Sequence, residues 1–459
     1  MSMRKSSYVI DVKLDSEADK YMLVHGYTGA IDVVSENVVA YLDSVGKQQP
    51  DGAQVSEATL EALKARGYLT VKTEEEEVEH VRKLANLLHQ KDKILHKSFV
   101  FLVAYDCNFR CPYCYESKVL KDSRQWSRKV FTKEMVDKAY DAISKIGGDK
   151  RLHYSQIVLY GGEPLLARNR EIVKYIVNKG KDLGYRFMAI TNGYDLDAFE
   201  DLLTTDKLSS LQITVDGSKE IHDQRRIHYQ TKTSFDKIIS NIALALERDV
   251  EITVRVNNDA NNFNELSKIE QLFRDLGYYG KGNLRIHSAR LFDYKYNNRR
   301  LSFLNQLEYN KLHKEIAYKY PCTVSGIAQT LCRAVTDKKR INLSSTYCSA
   351  QTGSHIFDPF GDIYGCWEDV GNVENIIGHY DPVEWTEIKE LWHYQNIAVS
   401  FDCVRCKYAF FCRGGCIAHE KHKRGVFGPG FCNSYPDTFH DATNLAYKKM
   451  HECVKNIDQ

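Results

Sequence analysis

Between Ser98 and Arg290 six strand-like stretches alternate with helical ones, and this alternation constrains the fold more than any other feature of the chain. The strand-like stretches are Ser98–Ala104, Gln156–Tyr160, Arg186–Thr191, Ser210–Val215, Glu251–Val256 and Leu284–Ser288. Helical patterns fill the intervals near 132–146, 168–183, 196–204, 233–248 and 262–275. Repeated strand–helix units build a parallel sheet through right-handed crossovers, so the chain is α/β. The pattern fits a partial barrel of six units and also a doubly wound sheet. In either, sites form in loops beyond the C-terminal ends of the strands.

Those loops carry the informative residues. The first stretch, Ser98–Ala104, is almost continuously apolar, as in a strand buried on both faces. It runs into Cys107-Asn-Phe-Arg-Cys111-Pro-Tyr-Cys114-Tyr115, spaced C-x3-C-x2-C. Thiolates this close can converge on one soft metal centre, and three of them leave a four-iron cluster one ligand short. An iron with an open position can bind and activate a small molecule. The plain alternative is a structural zinc knuckle or three unrelated thiols. The second stretch ends in Gly161-Gly162-Glu163-Pro164, where paired glycines let backbone approach a ligand and a carboxylate can take an ammonium group. The third ends in Ile190-Thr191-Asn192-Gly193; the fourth ends in Thr214-Val-Asp216-Gly217, followed by His222-Asp-x-Arg225-Arg226. Gly-Gly and Asp-Gly pairs taken singly mark turns; their order and strand-end placement carry the weight.

Ten of the 13 cysteines fall into two spaced groups. The second group is Cys348, then Gly361-x4-Cys366, then Cys403-x2-Cys406-x5-Cys412-x3-Cys416, then Cys432. Seven thiolates at these intervals nearly fill two iron–sulfur sites. A zinc module takes four ligands per site in local C-x2-C pairs and fits this spread poorly. Cys322 and Cys332 read as small packed hydrophobes.

With these motifs in this order, residues 98–435 resemble radical S-adenosylmethionine (SAM) enzymes that carry a C-terminal SPASM extension. The resemblance implies a partial (β/α)6 barrel in which Cys107, Cys111 and Cys114 hold a four-iron four-sulfur (4Fe-4S) cluster and SAM chelates its fourth iron. Cleavage of SAM then gives a 5′-deoxyadenosyl radical that abstracts hydrogen from the substrate. The resemblance places the SAM amino group on the Gly161–Pro164 motif, with Glu163 as the acid. It adds contacts from Thr191 and Asn192, and gives the SAM carboxylate to Arg226, with Arg225 as the alternative. Tyr113 and Asp216 are assigned to the same cofactor site. It also implies two auxiliary 4Fe-4S clusters, three clusters in all. Cys403, Cys406, Cys412 and Cys432 would hold one; Cys348, Cys366 and Cys416 would hold the other. For that last site the fourth ligand is open: Cys322, Cys332, or a substrate thiolate.

Residues 1–75 read as a separate module. Short strands at Tyr8–Val12, Tyr21–Val24 and Ala30–Val33 precede helices at Glu36–Ser44 and Glu57–Arg66, and a strand returns at Tyr68–Val71. This winged-helix-like order resembles the precursor-recognition domain of maturases of ribosomally made peptides, which binds a leader as an added strand. The alternative is a cap that only packs on the enzyme. The acidic run Thr73–His80 starts a linker helix over 76–97, where it favours the helix dipole and is given no other role. The barrel is expected over 98–290, a bridge over 291–347 and the SPASM domain over 348–459.

A net charge of +2 argues against a nucleic-acid partner. No apolar run approaches a membrane span and the N-terminus has no signal-like core, so the expectation is a cytoplasmic protein without a membrane partner. The resemblance implies a peptide maturase of the ranthipeptide or sactipeptide kind. It would join a cysteine sulfur to a carbon of another residue in a precursor peptide with a leader, and would draw electrons from reduced flavodoxin or ferredoxin. A formylglycine-generating sulfatase maturase is the alternative, although such enzymes carry an aspartate where this chain has Trp367, followed by Glu368 and Asp369. A carbon–carbon crosslinking maturase and a metal-binding peptide scaffold complete the readings.

Overall fold

All six expected strands form, and they lie side by side in chain order. The computed structural model describes residues 3–46, 53–114, 124, 126–292, 302–314, 316, 319–320 and 322–455. Tyr115 and part of the expected bridge over 291–347 lie outside the described residues. The chain divides into two compact units: residues 1–91, 306–348 and 394–459 form one, and residues 92–305 and 349–393 the other.

The first unit begins with β1 (Arg4–Lys5), β2 (Val9–Lys13), β3 (Lys20–His25), β4 (Ile31–Ser35) and β5 (Leu69–Thr70). Strands β2, β3 and β4 make an antiparallel sheet and β1 pairs with β5. Helices Glu36–Ser44 and Glu57–Ala65 follow the sheet, the second capped by Ser56. Val9, Leu23, Val39, Leu42, Leu63 and Tyr68 form the core. The acidic run does more than favour the helix dipole. Glu77 of helix Glu74–Ile94 is fully buried, accepts from Ser6 Oγ at 2.5 Å and Ser7 N at 3.0 Å, and pairs with Arg4 at 2.7 Å. It ties the helix to the start of the sheet, and its role is invisible in a run of four identical acids. Later in this unit, helix Tyr435–Lys455 packs on helices Gln306–His313 and Thr323–Thr336. Cys322 is buried as the N-cap of the latter.

The second unit holds β6 (Ser98–Ala104), β7 (Gln156–Gly161), β8 (Arg186–Thr191), β9 (Leu208–Thr214), β10 (Glu251–Asn258) and β11 (Leu284–Arg290). They are parallel and ordered β11-β10-β9-β8-β7-β6. A doubly wound sheet would reverse direction at a switch point; this one never does, so the partial barrel is the fold. Helices Lys133–Gly147, Arg170–Asp182, Phe235–Leu246 and Glu265–Asp275 fall where the pattern puts them. The stretch near 196–204 is a 3-10 helix, Leu196–Leu202, broken by non-helical angles at Phe199.

The sheet does not stop at β6. Strand β12 (Ser354–Phe357) runs parallel to it, with Ser354 opposite Ser98 and Phe357 opposite Phe101. Strands β13 (Asp362–Tyr364), β14 (Ile376–Tyr380) and β15 (Val383–Trp385) continue antiparallel. Strand β6 is therefore paired on both edges and buried on both faces. Phe99 and Phe101 face Phe357 and Tyr140, while Val100 and Leu102 pack with Ile356 and Tyr364. Beside β13, buried Arg124 pairs with Asp358 at 3.1 Å and Asp362 at 2.5 Å, and Tyr105 Oη donates to Asp358 at 2.8 Å. Among the described residues no helix is long and apolar enough to cross a membrane.

Candidate active site

Beyond the C-terminal ends of β6–β11 the second unit encloses a pocket of about 360 Å³. Cys107, Cys111 and Cys114 line it together. Burial pushes the Cys107 thiol well up, and negative charge on Glu163, Cys111 and Cys114 pushes it further. The three thiols share one pocket, the placement a common cluster needs.

The glycine pair lines the pocket and also packs closely against backbone. A Cβ on Gly161 would lie 2.3 Å from the Ala104 carbonyl, and one on Gly162 would lie 2.6 Å from those of Tyr105 and Asp106. Gly162 N and Glu163 N donate to Ala104 O at 2.9 Å and Asp106 O at 3.0 Å. The close approach is to the backbone of the cysteine loop, so the pair clamps that loop to the end of β7.

Glu163 follows and faces the pocket, 1% exposed. Its carboxylate accepts from Thr191 Oγ1 at 2.5 Å, Asn192 N at 2.6 Å and Leu165 N at 2.9 Å. Burial dominates even so and raises its pKa to about 7. A carboxylate desolvated and fixed in this way is stabilised by an incoming ammonium. Thr191 and Asn192 also line the pocket; Pro164 and Asp216 do not. Asp216 lies fully buried behind the wall, where it accepts from the Tyr113 hydroxyl, from Asn257 N at 3.0 Å and from Arg225 Nε at 3.4 Å.

Two adjacent arginines divide the work. Arg225 is consumed by Asp216, by Asp259 at 2.9 Å and by the Asn257 carbonyl at 3.0 Å. Arg226 lines the pocket, donates Nη1 to Tyr113 Oη at 3.2 Å, and keeps a buried Nε without a hydrogen-bond partner among the described residues. Of the two adjacent arginines, Arg226 is the one that lines the pocket. Three thiols, a desolvated acid and a buried arginine with spare donor capacity fit a three-cysteine cluster with an amino-acid-like ligand.

Other lining residues carried no sequence signal. Gln212, Thr214, Arg255 and Asn257 sit at alternate positions of β9 and β10, and Arg290 ends β11. Their alternation could have marked an inward polar face, but single polar residues in strands have no spacing to recognise. Trp367 and Glu368 also line the pocket, Trp367 meeting Tyr160 edge-on at 4.6 Å.

The first unit gathers a second set of thiols. Cys412 is pushed up to about 12 by burial and then by Cys432, Cys403 and Cys406. Arg413, Gly414 and Gly415 all adopt positive φ, which turns the chain sharply between Cys412 and Cys416. A Cβ on Gly415 would stand 2.0 Å from Phe431 O, so the turn packs directly against the backbone that leads to Cys432. Cys348 and Cys416 also belong to the first unit, and Cys366 to the second.

Residues 101–269 match the radical SAM superfamily model. Over that stretch the chain carries a radical SAM domain, set in an α/β fold with a large mixed sheet. The chain is 22% identical to the cysteine-type anaerobic sulfatase-maturating enzyme of Clostridium novyi, over 75% of this chain and 96% of that one. It is 29% identical to a putative glycyl-radical enzyme activating enzyme of Methanocaldococcus jannaschii, over 49% of this chain and 79% of that one. Among solved structures, native anSMEcpe with bound AdoMet and Cp18Cys peptide superposes with a TM-score of 0.59 at 16% identity, covering 79% of this chain and 99% of that one. Streptococcus suis SuiB bound to its precursor peptide SuiA gives a TM-score of 0.50 at 12% identity, covering 92% of this chain and 97% of that one.

Proposed function

We propose that the protein is a maturase that installs cysteine sulfur-to-carbon thioether links in a ribosomally synthesised precursor peptide. The observation that carries this reading is that Trp367 and Glu368, which follow Cys366 directly, line the same pocket as Cys107, Cys111 and Cys114. A substrate sulfur held near Cys366 would therefore lie beside the carbon being activated, the proximity that coupling requires. SuiB, bound to its precursor peptide, and anSMEcpe, bound to a peptide, share this fold and support a peptide substrate.

Cys107, Cys111 and Cys114 would hold one 4Fe-4S cluster, and Glu163 and Arg226 would hold the ammonium and carboxylate of SAM. Cys403, Cys406, Cys412 and Cys432 would hold a second cluster. When bound, cluster and SAM together supply a radical that removes a hydrogen atom from carbon. The chain's own contribution is position and seclusion. Glu163 is locked by three hydrogen bonds, Arg226 is braced by Tyr113, and Trp367 closes a wall against Tyr160. The three-stranded sheet β2-β3-β4 ends in unpaired edges within its own sheet, and one of them would take the leader as an added strand. Reduced flavodoxin or ferredoxin would supply electrons.

Glu368 favours one other reading, since a carboxylate in the pocket could accept the proton that formylglycine formation releases. Mass spectrometry of the treated peptide separates the two. A thioether costs a pair of hydrogens per link and blocks alkylation of the participating cysteine. Formylglycine reacts with hydrazides. Loss of hydrogens with every cysteine still alkylating, or a hydrazide-reactive product, rejects the thioether.

A further inference from the structure

The end of the second unit opposite the thiol pocket holds a second cavity, of about 340 Å³. Its lining includes Lys93, Lys97, Lys145, Lys389, His355 and His393, and no acidic residue. Lys97 precedes β6, His355 lies in β12, and Lys145 is in the last turn of helix Lys133–Gly147. Lys389 and His393 come from helix Glu387–Tyr394. The cavity thus sits where the first strand of the barrel meets the added strands. Strand β6 has seven residues, which puts its two ends ~20 Å apart, so this cavity is not part of the thiol pocket.

Cations gathered around one cavity repel one another, and its lining holds no carboxylate. The Lys97 ammonium donates to the Ile146 carbonyl at 2.9 Å, and the Lys389 ammonium lies 3.5 Å from the Trp385 ring centroid. Neither contact supplies a negative charge. Burial pulls both lysines below the ordinary ammonium value, and for Lys389 the charge of Lys97 adds to the effect against Glu390. His355 is 2% exposed and is driven down to about 3, first by burial and then by His393, Lys389 and Lys97. All of these groups line the one cavity. Its chemistry is that of a site prepared for an anion.

We infer that this cavity binds a diphosphate-type oxyanion. Charge sets the class. A phosphoryl group carries about −1.5 to −2 at neutral pH, so two of them match four lysines where one would leave the site strongly positive. Lysines also suit the ligand, because each offers a compact, rotatable charge to a phosphate oxygen. The occupant would bridge β6, β12 and the helix Glu387–Tyr394, and so would brace the seam at which the sheet is extended.

The test is calorimetric titration of the reconstituted full-length protein with inorganic pyrophosphate in low-salt, phosphate-free buffer. The expected result is saturable single-site binding, tighter than that of orthophosphate, with a rise in the unfolding temperature. K97Q/K389Q should weaken pyrophosphate binding by about tenfold or more, since charge-assisted hydrogen bonds are removed. K145Q, which changes an exposed lysine, should weaken it in a protein of unaltered unfolding temperature. SAM binding should be unchanged in both. Absence of saturable heat overturns the inference. So does equal pyrophosphate affinity in K145Q and the parent, displacement of pyrophosphate by SAM, or binding of a polyglutamate peptide in place of pyrophosphate.

Discussion

The hydroxyl of Tyr113, one residue before the third cysteine of the loop, donates to the fully buried carboxylate of Asp216 at the end of the fourth barrel strand. The same hydroxyl accepts from Arg226. One phenol thus joins the cysteine loop to the arginine that faces the pocket. Tyr113→Phe should leave the carboxylate with one donor fewer and free Arg226 to move. Affinity for SAM should fall by a few-fold up to about a hundredfold, from ~1–3 kcal/mol for an unsatisfied buried group. Equilibrium dialysis with SAM checks this, and iron content should stay constant. An unchanged affinity would show that Arg226 needs no brace.

Replacement of Cys107, Cys111 and Cys114 together by alanine should remove about one cluster of iron and all reductive SAM cleavage. Iron analysis and deoxyadenosine release measure the two effects. Continued deoxyadenosine release by this variant would refute the assignment of the three thiols.

Glu163→Gln keeps the shape of the side chain and removes its charge. Loss of a charge-assisted hydrogen bond should weaken SAM binding by roughly 1.5–3 kcal/mol, about ten- to a hundredfold. The clusters should remain, because the glycine pair and not the acid clamps the cysteine loop. An unaltered SAM affinity would make Glu163 a purely structural acid.

Arg124 stands between two buried aspartates. Arg124→Ala would leave Asp358 and Asp362 uncompensated and should destabilise the second unit by about 3–5 kcal/mol. Thermal unfolding should show a clear drop. The double change Asp358→Asn with Asp362→Asn in the same background should recover part of it. A neutral Arg124→Ala would mean that water reaches the pair.

The parts of this molecule that were legible in its sequence are those with a local period or spacing. The alternation of strands and helices located all six barrel strands, and C-x3-C-x2-C located thiols that do line one pocket. Order in the sheet was not legible, because a strand does not say which neighbour it takes; parallel pairing in chain order decided against the doubly wound alternative. Strands β12–β15 are not legible, because all four have five residues or fewer and so show too little alternation to recognise. Arg255 and Gln212 were missed because an isolated polar residue in a strand looks the same on either face. Arg225 and Arg226 could be told apart only once Asp259 was seen beside the first.

Strand β6 finds one of its two neighbours in β12, roughly 250 residues further along the chain. On a ribosome adding about 5–20 residues per second, that neighbour emerges some tens of seconds after β6 itself. Throughout synthesis the most apolar strand of the sheet has one bare edge, the kind of surface on which chains pair wrongly with each other. A nascent chain of this sequence is therefore a natural client for chaperones until β12 has been made.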